Sequence, residues 1–400
     1  MPVLAQVTAR FADARPLAGV KVAACLHVTA ETAALVRTLI AAGAEVALCS
    51  ANPLATQDDV AAALVVNDAV QVRARHGESY ADYERHIVET AAFGPEGGRT
   101  WVTIDDGADL LIAATRSRPP GEDGILGLIG GTEETTTGLL RLRRLQAQQR
   151  LPCPVLAVNE ARTERALNDR HGTGQSALDG IMRATNVLLA GQTVVVLGYG
   201  WAGQGIAERA RGAGSVVTVC EVDPLRALEA RMAGYEVMPA LEAAARGDLF
   251  VTVTGSRKVL RGEHFAVMKD GALLANAGHF DVEIDLEELS AAAGGEARQV
   301  RPLVQEYKMA DGRRLNLLAR GRVVNLAAAE GHPASVMDVS FALQALSLEA
   351  LVREPAAFTP GVHAVPDEID REVGRLKLAA LGVHIDVSTA SQDDYRRTWS

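Results

Sequence analysis

The stretch TVVVLGYGWAGQGIAERARGAGSVVTVCEVDP, residues 193–224, decides the fold. It opens with an apolar run, continues with Gly198, Gly200 and Gly203 ahead of a helical pattern, and ends with a second apolar run that reaches Glu221. A G-x-G-x-x-G pattern between a strand and a helix, with an acidic residue about 20 positions later, is typical of dinucleotide-binding units. The glycines allow a tight turn and let a pyrophosphate approach the helix N-terminus. The stretch therefore predicts a Rossmann unit.

Glu221 indicates which dinucleotide binds. At the end of the second strand of such a unit, a carboxylate accepts hydrogen bonds from the adenosine ribose hydroxyls and repels a 2′-phosphate. Arg226 could attract that phosphate, but an exposed arginine on the following helix also accounts for it. The pattern favours NAD over NADP.

Alternating apolar runs and amphipathic patterns also fill the first third of the chain. They predict buried parallel strands and helices in turn, which is typical of a doubly wound α/β sheet. The predicted strands are residues 20–26, 44–49, 101–104 and 154–158, and the predicted helices are residues 30–43 and a helix with Thr56 as its N-cap.

A chain of 400 residues is long enough for two domains. We predict an α/β fold with two doubly wound, Rossmann-like domains joined by hinges. The substrate domain is expected to comprise residues 1–170 and 336–400, and the NAD-binding domain residues 171–335. The hinges are expected near residues 172–175 and 331–335.

Polar side chains follow each of the four predicted strands of the substrate domain. Open α/β sheets bind ligands beyond the carboxyl ends of their strands, so four polar strand ends predict a ligand crevice. The alternative is that each residue only caps the helix that follows. We favour the crevice because a histidine is among these residues. They are His27, Thr29 and Glu31, then Ser50 and Asn52, then Asp105, Asp106 and Asp109, and finally Asn159.

Two further histidines lie in the NAD-binding half, in Gly278-His279-Phe280 and Gly331-His332-Pro333. Each is expected to follow an apolar strand on the cofactor side. A single histidine is more often structural than catalytic, but two at strand ends favour a functional role.

Composition excludes several classes of partner. The net charge is −10 and the pI is about 5.5. These values argue against nucleic acid or an anionic membrane as a partner, because both bind clusters of Lys and Arg. The sequence contains no uninterrupted apolar run of 18 residues and no signal-peptide core near its start, so we expect a cytoplasmic protein. The four cysteines lack metal-type spacing, which predicts reduced, mostly buried thiols and no metal site. They are Cys25, Cys49, Cys153 and Cys220.

With these residues identified, the chain resembles the S-adenosylhomocysteine hydrolase family over nearly its whole length. It looks like the shorter form of the family, ending at YRRTWS without the Lys- and Tyr-bearing tail that reaches a neighbouring subunit's NAD in longer members. The segments that carry the resemblance are CLHVTAETA, NPLATQDD, IDDGADL, GTEETTTG, GTGQSALDGIMRATN, GYGWAGQG, EVDPLRALEA, NAGHFDVEID and VVNLAAAEGHPASVMD.

The resemblance implies a homotetramer that acts on an adenine nucleoside with tightly bound NAD. In the family, NAD⁺ takes a hydride from ribose C3′, an aspartate removes the C4′ proton, and the 5′ substituent leaves. Water then adds and the hydride is returned, so no net redox change occurs. The protein supplies positioning, proton transfer and exclusion of water.

The resemblance also implies roles for individual residues. On the substrate side, Thr29 and Glu31 would bind adenine, Asn52 would bind substrate, Asp106 would be the C4′ base, His27 and His279 would act near the 5′ end, Glu134 and Thr135 would hold the ribose, and His332 would gate the channel. On the cofactor side, Thr135, Thr136, Thr137, Gly198, Gly200, Gly203, Glu221 and Thr254 would contact NAD, and Asn325 would orient the nicotinamide amide.

The stretch VNEARTERALNDRHGTGQS, residues 158–176, departs from the family pattern. The family carries a Lys here, followed by Phe-Asp-Asn, and the Lys and Asp flank the 3′-hydroxyl. In this chain the Lys position is Glu164, and Asn168 and Asp169 stand at the Asp-Asn positions, so the carboxylate has moved one residue along, or about 100° on a helix. We predict that these three residues line the sugar side of the site and take part in catalysis.

Three hypotheses about function follow. The first, which the rebuilt sugar side favours, is a nucleoside dehydratase of the kind found in nucleoside-antibiotic pathways, which would remove water to give a 4′,5′-unsaturated nucleoside. The second is an adenosylhomocysteinase that hydrolyses S-adenosylhomocysteine to adenosine and homocysteine. The third is a non-catalytic regulator that binds NAD and adenosine.

Overall fold

The computed structural model describes residues 1–117, 125–295 and 297–398. Trp399 and Ser400, which end the YRRTWS segment, lie outside the described residues. The described chain forms two sheets with helices between their strands, and the predicted α/β fold with two doubly wound units is confirmed.

The first sheet has seven strands, all parallel, in the order β15-β6-β5-β4-β1-β2-β3. Its central strand, β4, and the neighbouring β1 are buried along their whole length because each is paired on both sides and covered by helices. Its strands are β1 Lys21–Leu26, β2 Glu45–Ser50, β3 Gln71–Arg73, β4 Trp101–Asp105, β5 Leu128–Glu133, β6 Pro154–Ala157 and, late in the chain, β15 Gly361–Ala364.

The second sheet has eight strands in the order β12-β13-β14-β11-β10-β7-β8-β9. The pairs from β14 to β9 are parallel, and β12 and β13 add an antiparallel extension at one edge. Its strands are β7 Thr193–Leu197, β8 Val216–Cys220, β9 Glu236–Val237, β10 Leu249–Thr252, β11 Leu273–Asn276, β12 Ala297–Arg301, β13 Val304–Lys308 and β14 Arg314–Leu318.

Helices connect these strands, and a π-helical segment, Arg165–Gly172, precedes the second sheet. The helices are α1 Pro2–Ala14, α2 Ala30–Ala41, α3 Asp58–Asp68, α4 Tyr80–Phe93, α5 Asp109–Arg116, α6 Thr136–Ala147, α7 Arg162–Glu164, α8 Thr173–Thr185, α9 Trp201–Gly212, α10 Pro224–Met232, α11 Ala240–Ala244, α12 Gly262–Phe265, α13 Leu286–Ala292, α14 Val324–Ala327, α15 Ala334–Arg353, α16 Asp367–Ala380 and α17 Ala390–Arg397.

Helix α15 is the core helix of the first unit. It is long and apolar enough to pass a length-and-composition test for a membrane span, but most of its apolar window is buried inside the protein. Asp338 ties it to the N-terminus by accepting the backbone N–H groups of Val3 and Leu4, each at 2.9 Å. Lys377 of α16 lies 3.0 Å from the same carboxylate, so the buried charge is paired.

Two local predictions were wrong. The residues before His332 form helix α14 and not a strand, because β11 is already paired with β10 and β14, which leaves only the isolated bridge between Asn276 and Val323. Thr56 is not the N-cap of α3, which begins one residue later than expected with Gln57 in the cap position. The four cysteines are buried, as predicted.

Candidate functional site

The carboxyl ends of the two sheets face a shared cavity of about 1310 Å³. Each sheet has a switch point, where the connections from two neighbouring strands run in opposite directions along the sheet. The switch point lies between β1 and β4 in the first sheet and between β7 and β10 in the second. Ligand crevices open at such points in α/β sheets. Most predicted site residues lie on the cavity wall, namely His27, Thr29, Glu31, Asp106, Glu134, Thr135, Thr136, Thr137, Asn168, Asp169, Gly198, Gly200, Glu221, Thr254, His279, Asn325 and His332.

A second cavity of about 430 Å³ adjoins the first at His279. Asn52 lines this cavity and not the larger one, which corrects its expected position beside the nucleoside. Its Oδ1 accepts the backbone N–H of Leu54 at 2.9 Å, so the amide is held within its own turn. The charged residues that line this smaller cavity are Arg116, Arg141, Arg322, Glu84, Asp109 and Asp281.

His27, Asp106 and His279 meet where the two cavities join. His27 Nε2 lies 3.2 Å from Asp106 Oδ2, and His279 Nδ1 lies 3.8 Å from Asp106 Oδ1. Gly107 allows this approach, because a Cβ at that position would stand 2.8 Å from His279 Nε2. The ligand atoms of the three side chains lie within 4.8 Å of one another, a spacing that a cation would also accept.

Electrostatics keep His27 neutral. Burial lowers its pKa, the charge of His279 adds to this effect, and the negative charge of Asp106 opposes it. A neutral imidazole has one N–H donor and one free nitrogen, and Nδ1 of His27 has no hydrogen-bond partner among the described residues. His27 can therefore exchange a proton with Asp106 through Nε2.

His332 connects the two segments that the sequence predicted as hinges. Its Nε2 lies 3.3 Å from Thr173 Oγ1. Burial, and then the charge of His27, lower the pKa of His332 to about 4, so it is neutral near pH 7. Both residues of this contact line the larger cavity, so a movement of either predicted hinge segment would change the cavity wall.

Glu134 follows β5 and is held by neutral groups. Ser340 Oγ and Gln344 Nε2 from α15 donate to its two oxygens, and Asn168 Nδ2 lies 3.5 Å from Oε1. Burial raises the pKa of Glu134 to about 7, and the hydrogen bonds from Ser340 and Gln344 counteract part of that rise. A carboxyl that titrates near 7 can accept or return a proton.

The π-helical segment presents both Asn168 and Asp169 to the cavity. Such segments are rare and occur mostly at functional sites, because an added residue per turn changes which side chains share a face. Asp169 accepts from Asn159 Nδ2 at 3.3 and 3.4 Å, and Asn159 in turn accepts from Thr136 Oγ1 at 2.7 Å. Burial raises the pKa of Asp169 to about 7.

Glu164 does not line the cavity, which corrects its predicted contact with the sugar. It ends α7 behind Glu134, is 1% exposed, and neither carboxyl oxygen has a hydrogen-bond partner among the described residues. Burial, and then the charges of Glu134 and Asp169, raise its pKa well above the ordinary value, and the polar side chains of Ser340 and Asn168 counteract part of that rise. Helix α7 contacts α15, and Glu164 is its only buried residue; the sequence pattern does not reveal this contact.

The second sheet supplies a dinucleotide cradle at Gly198–Gly203. Gly198 has a φ of +106°, and a Cβ on Gly203 would stand 2.1 Å from the Gly198 carbonyl oxygen, so both positions require glycine. Glu221 lies on the same wall and accepts the backbone N–H of Tyr199 at 2.7 Å. Its other oxygen, Oε1, accepts the backbone N–H groups of Val222 and Asp223 at 2.7 and 3.1 Å. Oε2 keeps one acceptor site for a ribose hydroxyl.

Asn325 has an unsatisfied acceptor on the cavity wall. Its Nδ2 donates to Ser176 Oγ at 3.1 Å, while Oδ1 is buried and has no partner among the described residues. A free amide oxygen suits the N–H group of a carboxamide, which nicotinamide carries. Thr254 lines the same cavity, but both its hydroxyl and its N–H already donate to Glu283, at 2.7 and 2.9 Å.

Two family models match this sequence. The model for S-adenosyl-L-homocysteine hydrolase matches residues 1–122, and the model for the NAD-binding domain of that enzyme matches residues 169–331. The chain belongs to the S-adenosyl-L-homocysteine hydrolase family. The predicted family and the predicted cofactor, NAD, are both confirmed.

Curated relatives of this family match the whole chain. The adenosylhomocysteinases of Gloeobacter violaceus and Aquifex aeolicus are 52% and 54% identical to it, over 100% of this chain and 91% and 93% of theirs. The S-inosyl-L-homocysteine hydrolase of Methanopyrus kandleri is 50% identical, over 100% of this chain and 92% of its own. The protein is therefore an NAD-dependent enzyme, which rules against the hypothesis of a non-catalytic regulator.

Several residues that support the hydrolase-family site were not identified from the sequence. Ser340 and Gln344 hold Glu134, Ser176 holds Asn325, and Glu283 holds Thr254. The first pair carried a usable signal, because two polar residues four apart on an otherwise apolar helix share one buried face. The other two are isolated polar residues with no such pattern.

Proposed function

We propose that the protein hydrolyses S-adenosylhomocysteine, or a close 5′-thioether of adenosine, to a nucleoside and a thiol. The observation that carries this proposal is the His27–Asp106–His279 cluster at the junction of two cavities. The larger cavity suits NAD and a nucleoside, and the smaller one, with both cationic and anionic side chains, suits a zwitterionic amino acid. Full-length relatives named for this reaction support the same reading.

Bound NAD⁺ would supply the reversible oxidation of a sugar carbon, which acidifies the neighbouring C–H bond. Glu134 and Asp169 lie where they can hold the sugar hydroxyls. Asp106 takes the C4′ proton, and neutral His27, 3.2 Å away, relays a proton to the departing 5′ atom. Both residues thus return to their starting protonation states when the 5′ bond has broken.

Glu31 favours adenine as the base. It lies on the cavity wall with Thr29 at the start of α2. A carboxylate accepts a hydrogen bond from the exocyclic amino group of adenine, whereas hypoxanthine presents a carbonyl oxygen at that position and would be repelled. We therefore expect an S-adenosyl and not an S-inosyl substrate.

Dehydration of a 5′-hydroxy adenine nucleoside is a second candidate. The observation that favours it is the buried Glu164, which stands where the family pattern has a lysine, together with Glu134 and Asp169 on the cavity wall. The full-length relatives support hydrolysis more directly. A cytoplasmic location and a homotetrameric assembly stay predictions.

Product analysis separates the two reactions. The NAD-loaded protein is incubated with S-adenosylhomocysteine and, in parallel, with adenosine and other 5′-hydroxy adenine nucleosides, and the products are identified by mass spectrometry. We expect free homocysteine and adenosine from the thioether. No homocysteine, together with a nucleoside product lighter by one water, would replace hydrolysis by dehydration as the proposed function.

A further inference from the structure

Glu164 ends a short helix whose start is fixed by a hydrogen-bonded carboxylate. Asp370 of α16 fixes the start of α7 by accepting the backbone N–H groups of Arg162 and Thr163, at 2.7 and 3.1 Å. At the end of α7 the Glu164 side chain is buried, and its two oxygens lack hydrogen-bond partners among the described residues. An ionised carboxylate in such a place would be costly, so the neutral acid is favoured.

The groups around Glu134 and Glu164 are acidic or neutral. The end of β4 brings Asp106, the π-helical segment brings Asp169, and α15 brings the neutral Ser340 and Gln344. The charge of Arg165 opposes the rise in the Asp169 pKa, and Arg165 also lies 3.2 Å from Glu160. Asp370 is occupied by the start of α7. The hydrogen-bond partners of Glu134 are all uncharged.

We propose that Glu164 is a positioning residue that retains its proton and so allows Glu134, in front of it, to stay ionised and accept the proton of a sugar hydroxyl. This rests on the proposed oxidation of the sugar. The O–H bond breaks and its proton goes to Glu134, while NAD⁺, the cofactor of the family, would when bound accept the hydride from the same carbon. In the return step Glu134 gives the proton back.

The charge of the side chain at residue 164 decides whether the pKa of Glu134 rises or falls. A second ionised carboxylate behind Glu134 would raise the pKa of Glu134 and keep it protonated, whereas a cation there would lower that pKa. Oxidation needs ionised Glu134, so its rate rises with pH through the Glu134 pKa. A cation at residue 164 therefore moves this acidic limb to lower pH, and a neutral isostere leaves it in place.

The test compares Glu164→Gln and Glu164→Lys in the full-length, NAD-loaded protein. The rate at which adenosine reduces bound NAD is measured by absorbance across a pH series. This oxidation step is common to hydrolysis and dehydration, so the measurement does not depend on which of the two the enzyme carries out. We expect the midpoint of the acidic limb to be unchanged in Glu164→Gln and to fall by about one pH unit or more in Glu164→Lys. A midpoint that moves in Glu164→Gln, or stays fixed in Glu164→Lys, would overturn the proposal.

Infrared spectroscopy gives a readout that does not use activity and serves if the Lys variant fails to fold. At pH 7 the wild-type protein should show a carboxylic-acid C=O band that is absent from Glu164→Gln. If no such band is lost, Glu164 is ionised and the proposal is wrong. Failure of the proposed function itself would show separately, as adenosine that leaves NAD oxidised at every pH.

Discussion

Asp106→Asn should lower the rate of product formation by about 10²- to 10⁴-fold, the usual contribution of a positioned general base. The amide has the shape of the carboxylate but cannot take the C4′ proton. It can still occupy the place 3.2 Å from His27, so the cavity and NAD binding should be preserved. The measurement is the steady-state rate with S-adenosylhomocysteine, together with the amount of NAD that copurifies.

Asp68→Asn is the matched control for this substitution. Asp68 belongs to the same half of the chain and pairs with Arg37 at 2.9 Å on the surface, away from both cavities. Surface pairs contribute little to stability, so this variant should keep the wild-type rate. An Asp106→Asn protein that is folded, holds NAD and turns over within threefold of the wild type would remove Asp106 from the base position.

Gly203→Ala should weaken NAD binding by roughly 10-fold or more. The new Cβ would stand 2.1 Å from the Gly198 carbonyl oxygen, and this contact is with backbone that cannot rotate away. Overpacking of this kind costs about 1–3 kcal/mol, and 1.4 kcal/mol corresponds to a tenfold change in affinity when the turn must be restored to bind. The measurement is titration of the NAD-free protein with NAD.

Gly212→Ala controls for the change from glycine to alanine within the same helix, α9. A Cβ at Gly212 meets no atom within 4 Å, so NAD affinity should equal that of the wild type. Thermal unfolding of both variants shows whether the fold survives. Equal NAD affinity in Gly203→Ala and wild type would mean that the Gly198–Gly203 turn does not position the cofactor.

Local sequence patterns were sufficient for most of the fold. The strand–glycine–helix unit at residues 193–224 depends on backbone conformations that only glycine allows, so the residues themselves specify it. The segment that forms helix α14 was predicted as a strand because its apolar residues suit a strand. It does not pair with β11 because β14 already occupies that edge of β11. Competition for a sheet edge is a tertiary effect and cannot be read from the segment alone.

The candidate site was predictable where a residue follows directly from a strand end. His27 and Asp106 come after adjacent parallel strands, so their proximity follows from the strand order. Glu164 was placed on the cavity wall because it stands at the position of the family's lysine, yet its side chain is buried and does not line the cavity. Which face of a three-residue helix is buried depends on its packing against α15, and no period in the sequence encodes it.

Exchange of the C4′ hydrogen of adenosine tests the central claim most directly. The NAD-loaded protein is incubated with adenosine in D₂O, and the recovered nucleoside is examined by mass spectrometry and NMR. The transient oxidation and the proximity of Asp106 predict deuterium at C4′, with little exchange in Asp106→Asn. Adenosine recovered with its C4′ hydrogen intact, from wild-type protein whose NAD stays oxidised, would contradict the account.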